Sequence, residues 1–240
     1  MDFSSAHFWV AVAQIVMIDV VLSGDNAVVI ALACRKLPTE QRHKGILWGV
    51  AGAVTLRIIL TAFAALLLSL PYIKFGGGLL LLWIGVKLLL PEDGHGEGGI
   101  DAADNLWGAV KTIIVADFVM SIDNVIAVAG AAHGSLGLLI FGLAVSIPLI
   151  IWSSQFVLKL MDRFPVIVTG GAALLGWVAG SMIATDVVLK QWLEAHLPYA
   201  DKLFATAGAV LVVAMGYAIA RRMSKRKAMT ELPIDTKEKS

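Results

Sequence analysis

The sequence predicts an all-α membrane protein of seven transmembrane helices: two inverted three-helix repeats plus one C-terminal helix, oriented N-out/C-in. Three observations carry this prediction. The chain is 58% hydrophobic and only 15% charged, against about 25% charged in an average soluble protein. Apolar runs of about 18 residues or more recur between charged or proline-marked breaks, and each is long enough to cross a bilayer. Finally, the pattern D-x3-S-x-D-N occurs twice, at Asp19 and at Asp117, with an offset of 98 residues.

The runs give the elements in order. The first span, Phe8 to Cys34, is too long for a signal-peptide core and has no basic segment before it, so it is expected to stay in the mature chain. Ile46 to Leu70 and Ile73 to Leu90 follow, and residues 1–90 form the first repeat. Residues 91–111 are an acidic, glycine-rich cytoplasmic linker, "PEDGHGEGGIDAADN" in its first part, with His95 beside Glu92, Asp93 and Glu97; a solvated linker or a weak cation funnel both suit it. Thr112 to Ala132, Leu136 to Leu158 and Val166 to Leu189 make the second repeat, residues 112–189. An external loop and a seventh span, Leu203 to Ala220, occupy residues 190–220, and a basic cytoplasmic tail fills 221–240.

Orientation follows from the Lys and Arg residues, which collect in short cytoplasmic loops. With the N-terminus outside, fourteen of the 19 lie on the cytoplasmic side, three (Lys74, Lys190, Lys202) lie outside, and Arg57 and Lys87 fall within spans. The "RRMSKRK" run from Arg221 reads as a topology anchor beside anionic lipid, and a net charge of +1 gives no reason to expect a nucleic-acid partner.

The duplication sets the architecture. Asp19, Ser23, Asp25, Asn26 and Ala31 match Asp117, Ser121, Asp123, Asn124 and Ala129, and "GVAGAVTL" at Gly49 parallels "GLAVSIPL" at Gly142. A unit of three spans is odd-numbered, so the second copy enters the membrane from the opposite side. Inverted repeats of this kind are typical of secondary transporters, with the substrate site near the midplane at the repeat interface.

The acids then need a reason. Four carboxylates within spans would cost roughly 10 to 14 kcal/mol on insertion scales. Asp19, Ser23 and Asn26, spaced i, i+4 and i+7, form one polar stripe on a helix, and Asp117, Ser121 and Asn124 repeat it. Asp25 and Asp123 stand about 120° away from the first acids, and they join the stripe only if the helix loosens. Gly24 in "SGD" offers such a break; Ile122 in the second copy does not, so the halves are expected to differ. A divalent cation would offset the buried charge, since Asp, Asn and Ser oxygens suit Mg²⁺, Ca²⁺ or Mn²⁺. Met120, one turn from Asp117 and Asn124, would favour Mn²⁺ as a thioether ligand, although it also reads as a core filler. The alternative is purely structural, with protonated acids bonding helices together; packing alone does not require the same acids twice.

Among the remaining polar residues, Arg57 lies mid-span and its counterpart near Ile150 is apolar. It is expected to face the interior, either in an ion pair with one of the Asp residues or as a counter-charge when a cation leaves. Lys87 reads as a snorkelling interfacial anchor. Asp186, Glu194, His196 and Asp201 fit an exit vestibule or a solvated loop. The lone Cys34 allows no intrachain disulfide and reads as an apolar filler. There is no GxxxxGK[ST], HExxH or GxSxG segment, so no prosthetic group or enzyme activity is expected.

"DVVLSGDNAVVIALACRKLP" from Asp19 and "VADFVMSIDNVIAVAGAAHG" from Val115 resemble the paired signatures of the TerC family of integral membrane proteins, related to the LysE-type transporter superfamily. The resemblance runs from about Met1 to Ala220. Asp19 at the first acidic position and "DN" at Asp123 are similar to the family's short subgroup without soluble domains. The resemblance implies manganese export across a bacterial inner membrane, with Asp19, Asp25, Asn26, Asp117, Asp123 and Asn124 as metal-binding residues; the family name comes from an association with tellurite resistance. It leaves open a homo-oligomer and an accessory role in delivering manganese to secreted or membrane enzymes without transport by the chain alone. An intramembrane aspartyl protease is disfavoured, because such enzymes use GxGD and Leu22 stands where the first Gly belongs.

Overall fold

The computed structural model describes residues 6–22, 24–63, 70–90, 102–131 and 136–230, which are helical almost throughout. The helices among them are α1 (Ala6–Leu22), α2 (Gly24–Arg35), α3 (Thr39–Ala62), α4 (Ile73–Leu89), α5 (Ala102–Ala131), α6 (Leu136–Arg163), α7 (Val166–Ala184), α8 (Val187–His196) and α9 (Ala200–Thr230). Five of them, α3, α5, α6, α7 and α9, contain stretches long and apolar enough to cross a membrane. α1 and α4 are apolar but only 17 residues long, about 26 Å at the helical rise.

The single span expected over Phe8 to Cys34 is helical on both sides of Ser23, as α1 and α2, and Ser23 itself lies outside the described residues. α2 is described from Gly24 and carries Asp25 in its first described turn. Asn26 N–H donates to Asp25 Oδ1 at 2.9 Å. α5 runs unbroken through Ile122.

Several boundaries move. α5 begins at Ala102, so the later part of the expected linker is helix, while residues 91–101, with Glu92, Asp93, His95 and Glu97, lie outside the described residues. α9 continues through Arg221 to Lys227, because Arg, Lys, Met and Ala all favour helix. α8 forms separately after α7, and Asp186 caps it: its Oδ1 accepts from Val188 N–H at 3.0 Å while its Oδ2 accepts from Phe75 N–H at 3.1 Å. Asp186 is buried, so its role is to join α8 to the start of α4 rather than to line a vestibule.

The packing exchanges partners between the two halves. α3 lies along α5, α1 and α2 lie along α6, and α4 lies along α7. Glycines make the close approaches: a Cβ at Gly49 would come within 2.5 Å of Ile113, and one at Gly142 within 2.6 Å of Ile15. Ile15 and Ile113 are themselves separated by the repeat offset of 98. α9 attaches to α7 backbone to backbone; a Cβ at Gly180 would meet Phe204 O, and one at Gly176 would meet Gly208 O at 2.4 Å. Small residues let membrane helices approach in this way.

The outer surface suits lipid. All seven tryptophans are exposed, as expected of aromatic residues at a membrane interface. One end of the bundle is tied by basic side chains. Lys36 Nζ donates to Lys87 O and Leu90 O at the end of α4, and Arg42 donates to Arg35 O and Leu37 O and pairs with Asp162 on α6. Lys87 is exposed, with its ammonium 5.0 Å from the Trp83 ring centre, which fits an interfacial anchor. Cys34 is wholly buried in the apolar core.

Candidate functional site

Four helices bring polar side chains to one place inside the bundle. α1 supplies Asp19, α2 supplies Asn26, α3 supplies Arg57, and α5 supplies Asp117 and Ser121; all five are buried. The Arg57 guanidinium bridges the two acids, with Nη1 on Asp19 Oδ1 and Nη2 on Asp117 Oδ1. Its Nε donates to Ser121 Oγ at 3.1 Å, and that hydroxyl donates to Asp117 Oδ2 at 3.2 Å. Asn26 Nδ2 donates to Asp117 Oδ1 at 2.9 Å.

Helical spacing explains who meets whom. Asp117 and Ser121 are one turn apart on the unbroken α5, so they share a face and bond directly. Asn26 reaches the opposite motif because α2 packs against α5. Arg57 comes from α3, which lies along α5, and its fork of donors fits two carboxylates at once. Burying an arginine without partners would be prohibitive; here two acids and a hydroxyl receive it.

Of the residues expected to bind metal, the structure gathers Asp19, Asn26 and Asp117, with Ser121 and Arg57 beside them. Asp25 is half-buried in the first described turn of α2, within electrostatic reach of Arg57 and Asp117. Asn124 is half-buried on α5. Met120 sits in the apolar core. Ser23 and the Asp123 side chain lie outside the described residues. Among the described residues no three His, Cys, Asp or Glu side chains form a metal-holding group. One oxygen nonetheless suits a hard cation: Asn26 Oδ1 is buried and has no hydrogen-bond donor among the described residues, a costly arrangement for a carbonyl unless a donor or a cation meets it.

The reach of Arg57 to both acids was not read from the sequence, which suggested a pair with one. The signal was present: a single mid-span cation, with no counterpart in the second half, faces two equivalent acids.

A family model described as "Integral membrane protein TerC family" matches residues 4–228. The chain belongs to the TerC family of integral membrane proteins. This TerC chain is 42% identical over 189 residues to the uncharacterized membrane protein YjbE of Bacillus subtilis, covering 79% of this chain and 86% of that one. It is 26% identical over 182 residues to the uncharacterized membrane protein YceF of the same organism, covering 72% and 70%. It is also 25% identical over 248 residues to the UPF0053 inner membrane protein YoaE of Escherichia coli, covering 94% of this chain and 45% of that longer protein. No solved structure matches this TerC chain.

Proposed function

We propose that this TerC protein is a secondary transporter that exports a divalent metal cation, Mn²⁺ first, with Ca²⁺ and Mg²⁺ as alternatives, from a bacterial cell by alternating access. The reading places two inverted repeats, seven spans and an N-out/C-in orientation in the inner membrane, where the name of the Escherichia coli relative puts that protein. Asp19, Asp25, Asn26, Asp117, Asp123 and Asn124 hold the cation, with Ser23, Ser121 and Met120 in support.

The observation that carries this reading is the meeting of Asp19 and Asp117, the first acids of the two motifs, inside the bundle with Asn26. Packing alone does not require the same acids in both copies of a duplicated motif, and compensating Arg57 does not require Asn26 beside them. Carboxylate and amide oxygens are the ligands that hard divalent cations take, and the buried Asn26 Oδ1 adds an acceptor that no protein donor fills among the described residues. The exchanged packing of α1 with α6 and α3 with α5 is what a site at a repeat interface requires.

The test uses everted membrane vesicles, in which export becomes accumulation. Vesicles carrying the wild type should accumulate labelled Mn²⁺, with Ca²⁺ and Mg²⁺ tested as competitors, and Asp25→Asn should lose most of that uptake. If wild-type vesicles match empty ones, transport by the chain alone is refuted and the manganese-delivery accessory role replaces it.

A further inference from the structure

We propose that Arg57 is a tethered stand-in for the transported cation: it occupies Asp19 and Asp117 when no cation is bound and lets the empty protein change its facing. The inference rests on the transport reading above and adds a role for one residue outside the set that holds the metal.

The geometry makes Arg57 and a cation alternatives. Asp117 Oδ1 already receives Arg57 Nη2 and Asn26 Nδ2, and Asp117 Oδ2 receives Ser121 Oγ. Asp19 Oδ1 receives Arg57 Nη1. A divalent cation held by both carboxylates would lie beside the guanidinium that already bridges them, and two positive groups side by side in a low-dielectric interior repel strongly. Loading therefore requires Arg57 to withdraw, and a half-turn of the Asn26 amide would replace Nδ2 by Oδ1 toward the ion.

Release raises the converse problem. Once the cation leaves, two buried carboxylates from different helices face each other uncompensated, a state too costly to carry through a change of facing. Arg57 returns one charge to them, held on α3, so it neither diffuses away nor needs to be taken from solution. Lacking it, the protein would trade one bound cation for another but would reset slowly when empty.

This separates two modes of transport. In everted vesicles preloaded with unlabelled Mn²⁺, Arg57→Gln should still exchange labelled Mn²⁺ at a rate near wild type, while net accumulation into unloaded vesicles falls about tenfold or more. Its equilibrium affinity for Mn²⁺, measured on the purified full chain in lipid nanodiscs, should rise about tenfold if the Arg-free state is about a tenth of the population. Arg57→Lys keeps the charge and should restore much of the net accumulation, although a single ammonium cannot span both acids and binding should tighten somewhat. A folded Arg57→Gln protein that loses both modes, or keeps both, overturns the proposal, as does an Arg57→Lys protein that behaves like Arg57→Gln. If Arg57→Gln does not insert, Arg57→Lys decides: tighter Mn²⁺ binding than wild type supports the proposal, and unchanged or weaker binding overturns it. A wild type that neither exchanges nor accumulates Mn²⁺ removes the transport reading itself, which these variants alone cannot do.

Discussion

Two stretches of this TerC chain carry the same acidic pattern in different surroundings. Around Asp19 and Asp25 the described backbone is α1 and α2, on either side of Ser23, and Asn26 N–H turns to Asp25 Oδ1. Around Asp117 and Asp123 it forms one continuous helix, α5. The residue before the second acid separates them: Ile122 is almost fully buried, whereas Gly24 is exposed with open space where a Cβ would be. A buried β-branched side chain anchors its helix turn against neighbours, and an unpacked glycine anchors nothing. The motif therefore fixes which groups are available, while its neighbours decide how each is held. α5 is the frame on which Asp117 and Ser121 are set, and Gly24 leaves the described start of α2 with no side chain to pack.

The comparison can be broken most strongly at the acids. Asp117→Ala removes a partner of Arg57, Asn26 and Ser121 together, whereas Asp19→Ala leaves the guanidinium with Asp117. Breaking a buried pair costs about 3–5 kcal/mol, and we expect Asp117→Ala to exceed Asp19→Ala by about 1–2 kcal/mol for its additional hydrogen bonds. Denaturant unfolding of the detergent-solubilised chain measures both, and equal costs would show that α5 is no more of a frame than α1.

Swapping the residues that distinguish the halves comes next. Ile122→Gly removes a buried side chain from a helix interior and should cost about 3 kcal/mol or more. Gly24→Ala meets nothing and should lie within about 1 kcal/mol of wild type, on the stabilising side if α2 lengthens. Amide hydrogen exchange would sharpen the contrast: Ile122→Gly should speed exchange in α5, and Gly24→Ala should slow it at the start of α2. Equally slow exchange at both sites in the wild type would contradict the contrast between a packed Ile122 and an unpacked Gly24.

The smallest expected difference tests where the halves agree. Gly49→Ala and Gly142→Ala each push a Cβ into an isoleucine, Ile113 and Ile15 respectively, at nearly the same distance. Overpacking of this kind costs about 1–3 kcal/mol, and the two values should match within about 0.5 kcal/mol. A large difference would mean that the exchanged packing is not equivalent in the two halves.

Much of this was legible in the sequence because the membrane is a strict solvent. Apolar runs must form helices to satisfy their backbone, so the helical class and the cores of the long apolar elements followed from composition and length. The boundaries were less legible: α8 depends on Asp186 meeting both Val188 and Phe75, residues far apart in the chain, and α9 outruns its apolar segment because helix propensity continues through charged residues.

The acids, their spacing and their duplication were determined by the sequence alone, since helical periodicity turns i, i+4 spacing into a shared face without any partner, as Asp117 and Ser121 show. What only the tertiary structure decided was the convergence: that Arg57 serves both acids, and that Asn26 bonds the acid of the other motif rather than standing beside its own. Those choices depend on which helix lies against which, and that is set by glycines and isoleucines meeting across the bundle, contacts between residues whose separation in the chain carries no periodic signal.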